Sequence, residues 1–190
     1  LTLTGALVVD GGTVKLDGSY PTGTDNTALG DTALDSVEAG GNSNTAIGHN
    51  AGTAITTGDG NTAVGDLALD ANTTSSDNVA IGRCALTTNI TGANNVAVGS
   101  YSLRDSTGSD NVAVGSGSAL ANTSGTNNTA VGRQSLKCNT TGAQNTALGA
   151  CALCANTTAS NNTAVGKSAL EVNTTGTQNV AVGNESLGSN

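Results

Sequence analysis

A five-residue phrase recurs ten times along the chain, and its spacing constrains the fold more than any other feature. Each copy has Asn first, Ala third and Gly fifth, with Thr or Val second and Val, Leu or Ile fourth. The intervals between copies are 16 to 18 residues, most often 17. The copies begin at Asn26, Asn44, Asn61, Asn78, Asn95, Asn111, Asn128, Asn145, Asn162 and Asn179. A fixed period indicates stacked units that bury their apolar faces against one another. Because 17 residues are too few for a helix-turn-helix unit, the repeat predicts an all-β protein, a parallel β-solenoid with one coil per repeat.

The chain divides into two regions at the first repeat. Residues 26–190 are predicted to form a solenoid of about ten repeats, and residues 1–25 lie outside the pattern. Residues 1–12 are typical of a strand followed by a turn, and residues 13–18 of a second short strand. An isolated hairpin is marginal in water. We therefore expect this segment to cap the first coil or to pair with equivalent segments of other chains. Since the chain begins with Leu1, we also expect it to be a piece of a longer or processed polypeptide.

The repeat predicts two short strands in each coil. The first strand is the pentad, in which alternation places Thr/Val and Val/Leu/Ile on one face and Ala on the other. The second strand carries a Leu four residues after the pentad Gly. The Val and Leu columns are predicted to fill a narrow interior. The repeat columns are represented in two neighbouring coils by Asn61, Ala63, Val64, Gly65 and Leu69, and by Asn78, Ala80, Ile81, Gly82 and Leu86.

Two kinds of corner residue are predicted. The Gly that closes each pentad permits a positive φ where the chain reverses. The segment Asn-Thr-Thr-Gly, as at residues 139–142, is predicted to form a second corner, because Asn and Gly both tolerate left-handed geometry.

Two columns of small side chains run along the repeats, and their role can be interpreted in two ways. The pentad Ala occurs in all ten copies, and a second column of Ala or Ser lies three places after each Gly. The chain has no Phe, Trp or Met, so its core is thin and a single roll is marginal alone. One interpretation is that the Ala column contacts other copies of the chain in a parallel homotrimer. The other is that Ala fits a cramped interior.

The pentads also carry a resemblance to known proteins. Asn-Thr-Ala-Val-Gly at 61–65 and Asn-Val-Ala-Ile-Gly at 78–82 resemble repeats of the left-handed parallel β-roll in the heads of trimeric autotransporter adhesins. The longer period, with Ala-Leu and Asn-Thr-Thr-Gly in each coil, is more similar to repeats in tail fibres of marine bacteriophages, notably those that infect cyanobacteria. Residues 7–18 resemble strand-turn segments that precede such repeats in phage fibres. The resemblance implies a left-handed homotrimer that is rod-like, surface-exposed and used in attachment. Its implied partners are other fibre or tail proteins and a host-surface receptor, a glycan, bound through other regions.

Charge and candidate chemistry favour a structural role. The net charge of −8 weighs against nucleic acid, which needs clustered Lys and Arg. No long apolar stretch indicates membrane insertion. The single His, His49, falls in one column with Asp31, Asp66 and Arg83, which predicts a solvated charge ladder. With no second His and no nucleophile-base-orienter set, we expect no enzyme activity, cofactor or metal.

The four cysteines are Cys84, Cys138, Cys151 and Cys154. Cys151 and Cys154 form a C-x-x-C pair, which alone is weak support for zinc. Cys138 and Cys154 fall at nearly the same coil position one coil apart, so a disulfide between them is geometrically allowed. The alternative is that the cysteines are plain small apolar side chains.

Three functions are compatible with the repeat. The first is a segment of a viral tail fibre, a stiff trimeric rod on the virion that serves host attachment. The second is the head of a trimeric adhesin on a bacterial cell surface that binds matrix or glycans. The third is an ice-binding solenoid, which needs an outward Thr column. Thr27, Thr45 and Thr62 begin such a column, but Val79, Val96 and Val112 interrupt it.

Overall fold

A computed structural model describes residues 14–15 and 23–188, which contain β-strands and turns and no helix. A single sheet of eleven strands runs the length of this part of the chain. The strands are β1 (Val14–Lys15), β2 (Thr27–Leu29), β3 (Thr45–Ile47), β4 (Thr62–Val64), β5 (Val79–Ile81), β6 (Val96–Val98), β7 (Val112–Val114), β8 (Thr129–Val131), β9 (Thr146–Leu148), β10 (Thr163–Val165) and β11 (Val180–Val182).

The sheet is a stack of equivalent strands, one from each coil. Strands β2 to β11 pair in parallel and in chain order, with each residue opposite its counterpart one repeat on, as Ala63 is opposite Ala80. The chain therefore winds as a parallel β-solenoid of about nine coils, with about 17 residues per turn. The predicted solenoid is confirmed.

The first coil is covered by a strand from outside the repeat. Strand β1 pairs antiparallel with β2, with Val14 opposite Leu29 and Lys15 opposite Ala28. Strand β1 lies within residues 13–18, where the sequence predicts a short strand. The predicted strand in residues 1–12 lies outside the described residues.

Each complete coil contains one strand, so the prediction of two was wrong. The segment after the pentad Gly is a series of tight turns, and its Leu adopts a left-handed conformation, with φ of 53° at Leu69 and 51° at Leu86. The residue two places earlier is also left-handed, as at Leu67 and Cys84. Such a conformation costs about 1–3 kcal/mol per residue. Complete burial of the Leu side chain offsets this cost by about 1.5–3 kcal/mol. The coil reverses within a few residues because of these turns.

The interior is lined by Ala and Leu, which corrects the prediction of a Val and Leu interior. The pentad Ala is fully buried in nearly every coil, as are the Leu and the second small column, for example Ala63, Leu69 and Ala68 at 0% exposure. The alternation within the pentad is confirmed, but its Thr/Val and Val/Leu/Ile positions face outward. A coil of this size leaves room for Ala opposite Leu and not for Val. The Ala column therefore fits a cramped interior and is not a surface for another chain.

The pentad glycines are required by both conformation and space. Gly65 and Gly82 have φ of 133° and 130°, as the sequence predicted, and a Cβ on Gly65 would lie 2.7 Å from the backbone of Gly82. The Asn-Thr-Thr-Gly corner differs from its prediction, because neither Asn139 nor Gly142 has a positive φ. The left-handed residue of that corner lies just before the next pentad, at positions such as Asn94 and Asp110.

Two coils lack the usual Leu, and different residues occupy its position in each. Gly52 takes the Leu position of the second coil, and the buried Ile55 of the same coil fills the space beside it. Ala119 takes the position itself and is 1% exposed, whereas Leu120 is half-buried outside the column. The described residues hold no helix that could cross a membrane.

Candidate functional site

The first Asn of each pentad points into the coil and links three neighbouring coils. Asn61 is 1% exposed. Its backbone N–H donates to Oδ1 of Asn44 at 2.9 Å, and its Nδ2 donates to the carbonyl oxygen of Ser75 at 3.0 Å. Its own Oδ1 accepts the backbone N–H of Asn78 at 3.1 Å. The pattern repeats from coil to coil and forms a continuous amide ladder inside the solenoid.

A second buried ladder lies at the opposite corner of the coil. Asn139 donates through Nδ2 to Oδ1 of Asn122 at 2.6 Å and to the carbonyl oxygen of Gly142 at 2.9 Å. Its members are Asn72, Asn89, Asn122, Asn139, Asn156 and Asn173. No buried side-chain nitrogen or oxygen in the described part of the chain lacks a hydrogen bond.

Sequence reasoning missed both ladders, because Asn is common in turns. One signal in the sequence could have revealed them. Asn begins every pentad, whereas Asp, Ser or Gly would serve equally well in an exposed turn.

Two columns of uncharged side chains point outward from the strands. We call the surface that they form the strand face. The inner-facing Ala separates them, so each strand contributes its first and third residues. The first-position column is Thr27, Thr45, Thr62, Val79, Val96, Val112, Thr129, Thr146, Thr163 and Val180, and the third-position column is Leu29, Ile47, Val64, Ile81, Val98, Val114, Val131, Leu148, Val165 and Val182. Within strands β3 to β10 the most exposed of these are between 36% and 39% exposed: Ile47, Ile81, Val131 and Leu148.

This face is unusual for its strand arrangement. Parallel sheets occur almost only where both faces are covered. Here the inner face of the parallel stack is covered by the turn segment of the same coil, and within the described residues nothing covers the outer face. Contiguous exposed apolar patches mark interaction sites. The strand face is therefore the candidate functional surface of the molecule.

Basic side chains are confined to a different side of the coil, which we call the turn face. Within residues 23–188, every Lys and Arg lies one or five residues after a pentad Gly, at Arg83, Arg104, Arg133, Lys137 and Lys167. Asp66 lies between His49 and Arg83 of the neighbouring coils, at 2.9 Å from Nδ1 of the His and 3.6 Å from Nε of the Arg. The predicted charge ladder is confirmed for these three side chains.

Two further groups extend the charged column of the turn face. Arg83 also donates to the Tyr101 hydroxyl and lies over its ring. Burial raises the pKa of the Asp70 carboxyl, with opposing influence from His49 and a smaller contribution from Asp66. These exposed pairs add little stability, and they keep the turn face solvated.

The third side of the coil carries hydroxyl and carboxamide groups. From residue 122 onward its segments at 122–127, 139–144, 156–161 and 173–178 contain no charged residue. In the first three of these segments the first Thr donates its hydroxyl hydrogen to a carbonyl oxygen of the next coil, as Thr123 does to Thr140 at 2.9 Å and Thr140 to Thr157 at 3.0 Å. These hydroxyls join coils together and have no donor left for external water.

His49 and the four cysteines are the candidates for chemistry in the sequence. Residues 23–188 contain no pocket, and they bring together no three His, Cys, Asp or Glu side chains that could hold a metal ion. The four cysteines are free thiols. Of the predicted repeat columns, Asn61, Asn78 and the paired Ala and Leu positions are interior. Gly65 and Gly82 are half-buried, and Val64 and Ile81 belong to the strand face.

No family model, curated protein or solved structure matches the chain. The fold and its three chemically distinct faces are therefore the basis for assigning a function.

Proposed function

We propose that this chain is a stiff segment of a viral tail fibre, a homotrimer of left-handed rolls that serves host-cell attachment. The observation that carries the proposal is the uncharged strand face, which runs the whole length of the coil stack. In the trimer, the strand faces of three chains meet around a common axis. The turn face and the hydroxyl and carboxamide face then point to solvent.

Three features support this assembly. The strand face lacks charged side chains along its entire length, whereas the basic residues lie on another side of the coil. An exposed parallel sheet needs a cover, and identical flat faces can supply it to one another. The number three and the left-handed winding come from the resemblance of the pentads to phage fibre and adhesin repeats.

The proposed role is mechanical. Backbone hydrogen bonds join every coil to the next, and β1 covers the N-terminal edge of the sheet. Few strand edges are then left for uncontrolled pairing. Such a rod holds a receptor-binding tip at a distance from the particle, with other fibre or tail proteins at its ends.

The head of a bacterial surface adhesin is the second candidate, because the uncharged hydroxyl and carboxamide side of the coils after residue 122 is suited to hydrogen bonding with glycans. The coding sequence on either side of this segment separates the two. A fibre tip or chaperone domain favours the phage fibre, and a membrane-anchoring barrel favours the adhesin. The ice-binding solenoid is disfavoured, since Val interrupts the Thr column of the strand face and the corner Thr hydroxyls bond to neighbouring coils.

The solution mass of matched variants tests the self-association surface. We expect three times the mass of one chain by light scattering coupled to size exclusion. Val114→Lys places a charge on the strand face and is expected to give monomers, because three ammonium groups near one axis repel and lose hydration. Ser116→Lys, two residues away on the exposed turn face, is the control and should remain trimeric. A monomeric wild-type chain, or a trimer that survives Val114→Lys, would contradict the proposal.

A further inference from the structure

Cys138 and Cys154 lie in neighbouring coils and are joined through their backbones. The N–H of Cys138 donates to the carbonyl oxygen of Cys154 at 3.1 Å. Residues joined by such a bond have Cα atoms roughly 5–6 Å apart, which is inside the range that disulfides span. Both residues are in the turn segment, where Cys138 is exposed and Cys154 is half-buried.

Of the other two cysteines, Cys151 is the alternative partner for Cys154, and Cys84 is out of reach. The sulfur of Cys151 lies 4.0 Å from Oε1 of Gln134 and hydrogen-bonds along its own column to the preceding coil. Cys84 is buried and belongs to a coil three repeats before that of Cys138. At about 4.8 Å per coil, that separation exceeds what a disulfide can span.

We propose that Cys138 and Cys154 form an oxidative modification site, where a small-molecule disulfide such as oxidised glutathione closes a disulfide between adjacent coils. The Cys138 thiolate attacks one sulfur of oxidised glutathione, and one reduced glutathione leaves. The Cys154 thiolate then attacks the Cys138 sulfur of the mixed disulfide and expels the second glutathione. The protein loses two hydrogens and two electrons, and these are taken up by the two glutathione molecules.

The surroundings of the two thiols set the order of these steps. Cys138 is the exposed thiol and meets the oxidant first. Burial raises the pKa of Cys154 to about 11; Cys151, Cys138 and Glu171 raise it further, and Lys137 opposes them. Only the thiolate attacks, so Cys154 acts second. Its thiolate fraction, and with it the rate of ring closure, rises about tenfold per pH unit well below its pKa.

Peptide mapping of the oxidised full chain identifies the bond. The reduced protein is exposed to oxidised glutathione, free thiols are alkylated, and the denatured chain is digested with chymotrypsin. Cleavage after Leu148 and Leu153 separates Cys138, Cys151 and Cys154 onto three peptides. We expect the peptides of Cys138 and Cys154 to be linked, with a closure rate that rises about tenfold from pH 7 to pH 8.

Serine variants supply the controls. Cys154→Ser should stop at a stable glutathione adduct on Cys138, whereas Cys151→Ser and Cys84→Ser should close the disulfide as the wild type does. Circular dichroism checks that each variant is folded. A link between Cys151 and Cys154, or a wild-type chain that retains glutathione on Cys138 without closing, would overturn the proposal.

Discussion

At the scale of single residues, the inward-facing asparagines are the distinctive feature of this protein. A buried amide costs free energy unless its donors and acceptors are bonded. Here the carboxamide oxygen accepts from one coil while the nitrogen donates to another. Asp has no N–H to donate and would bury a charge, and Gln would carry its amide one methylene farther from these partners. This double requirement explains why Asn begins every pentad.

Replacing one amide of the ladder measures its contribution. Asn95 is fully buried, its Oδ1 accepts the N–H of Asn111 at 3.0 Å, and its Nδ2 donates to the carbonyl oxygen of Gly108 at 2.9 Å. Asn95→Ala leaves both partners buried without a bond, so we expect the free energy of unfolding to fall by about 2–4 kcal/mol. Chemical denaturation followed by circular dichroism gives the value. Asn184→Ala makes the same change at an exposed position and should cost less than about 0.5 kcal/mol. Equal losses in the two variants would contradict the ladder.

At the scale of the element, the unit of structure is the coil, and its tightest contact is the stack of pentad glycines. A Cβ on Gly99 would lie 2.7 Å from the carbonyl carbon of Gly115 in the next coil. Gly183 has a similar φ, 124° against 130°, but a Cβ there would meet nothing closer than 3.9 Å. The two positions share a conformation and differ in whether another coil is stacked on them.

Ala substitutions at Gly183 and Gly99 separate the free-energy cost of the backbone conformation from the cost of crowding between coils. Gly183→Ala is expected to cost about 1–3 kcal/mol from its positive φ alone. Gly99→Ala should cost a further 1–3 kcal/mol, roughly, because the methyl group forces adjacent coils apart. Equilibrium unfolding of both variants provides the comparison. If the two substitutions cost the same, backbone conformation and not coil stacking explains the glycine column.

Some features of the coil could be predicted from the sequence, and others could not. The period gave the solenoid, the register of Ala63 on Ala80 and the column of His49, Asp66 and Arg83. Alternation separated Ala from Val but could not tell which faced inward, since Val is the more apolar and the answer depends on the width of the coil. The left-handed Leu residues could not be predicted, because local preference disfavours them and only burial in the stack compensates.

At the scale of the whole molecule, the three sides of the coil have separate compositions. The strand face is uncharged and largely apolar, and the turn face holds the basic residues. The third side holds hydroxyls and carboxamides after residue 122 and also carboxylates, such as Asp77 and Asp110, before it. The separation of the strand face from the turn face persists although individual coils differ, for example where Ile55 replaces an inward Asn or where Ala119 replaces Leu. The rod therefore presents continuous faces rather than discrete sites, which suits assembly along its length.

Removing one complete coil tests this modular organisation. Deletion of residues 111–127 joins Asp110 to Asn128 and preserves the register of every column. Because stability in such stacks is close to a sum over neighbouring units, we expect a folded protein, somewhat less stable and about 4.8 Å shorter. Circular dichroism and small-angle X-ray scattering would report both properties. Deletion of residues 111–118 alone breaks the register and should abolish cooperative unfolding. A half-coil deletion that folds as well as the full-coil deletion would refute the modular description.

The direction of the backbone hydrogen bonds governs how the rod responds to load. Bonds such as those from Val96 to Asn111 and from Gly99 to Ile81 lie along the stacking axis, so tension on the two ends acts on one coil's bonds at a time. Each coil that opens replaces a rise of about 4.8 Å with 17 residues of free chain, roughly 55–60 Å when extended. Compression, in contrast, drives the coils against one another. The molecule is thus stiff when pushed and yields in steps when pulled, and dissipates energy at each step as a tether does.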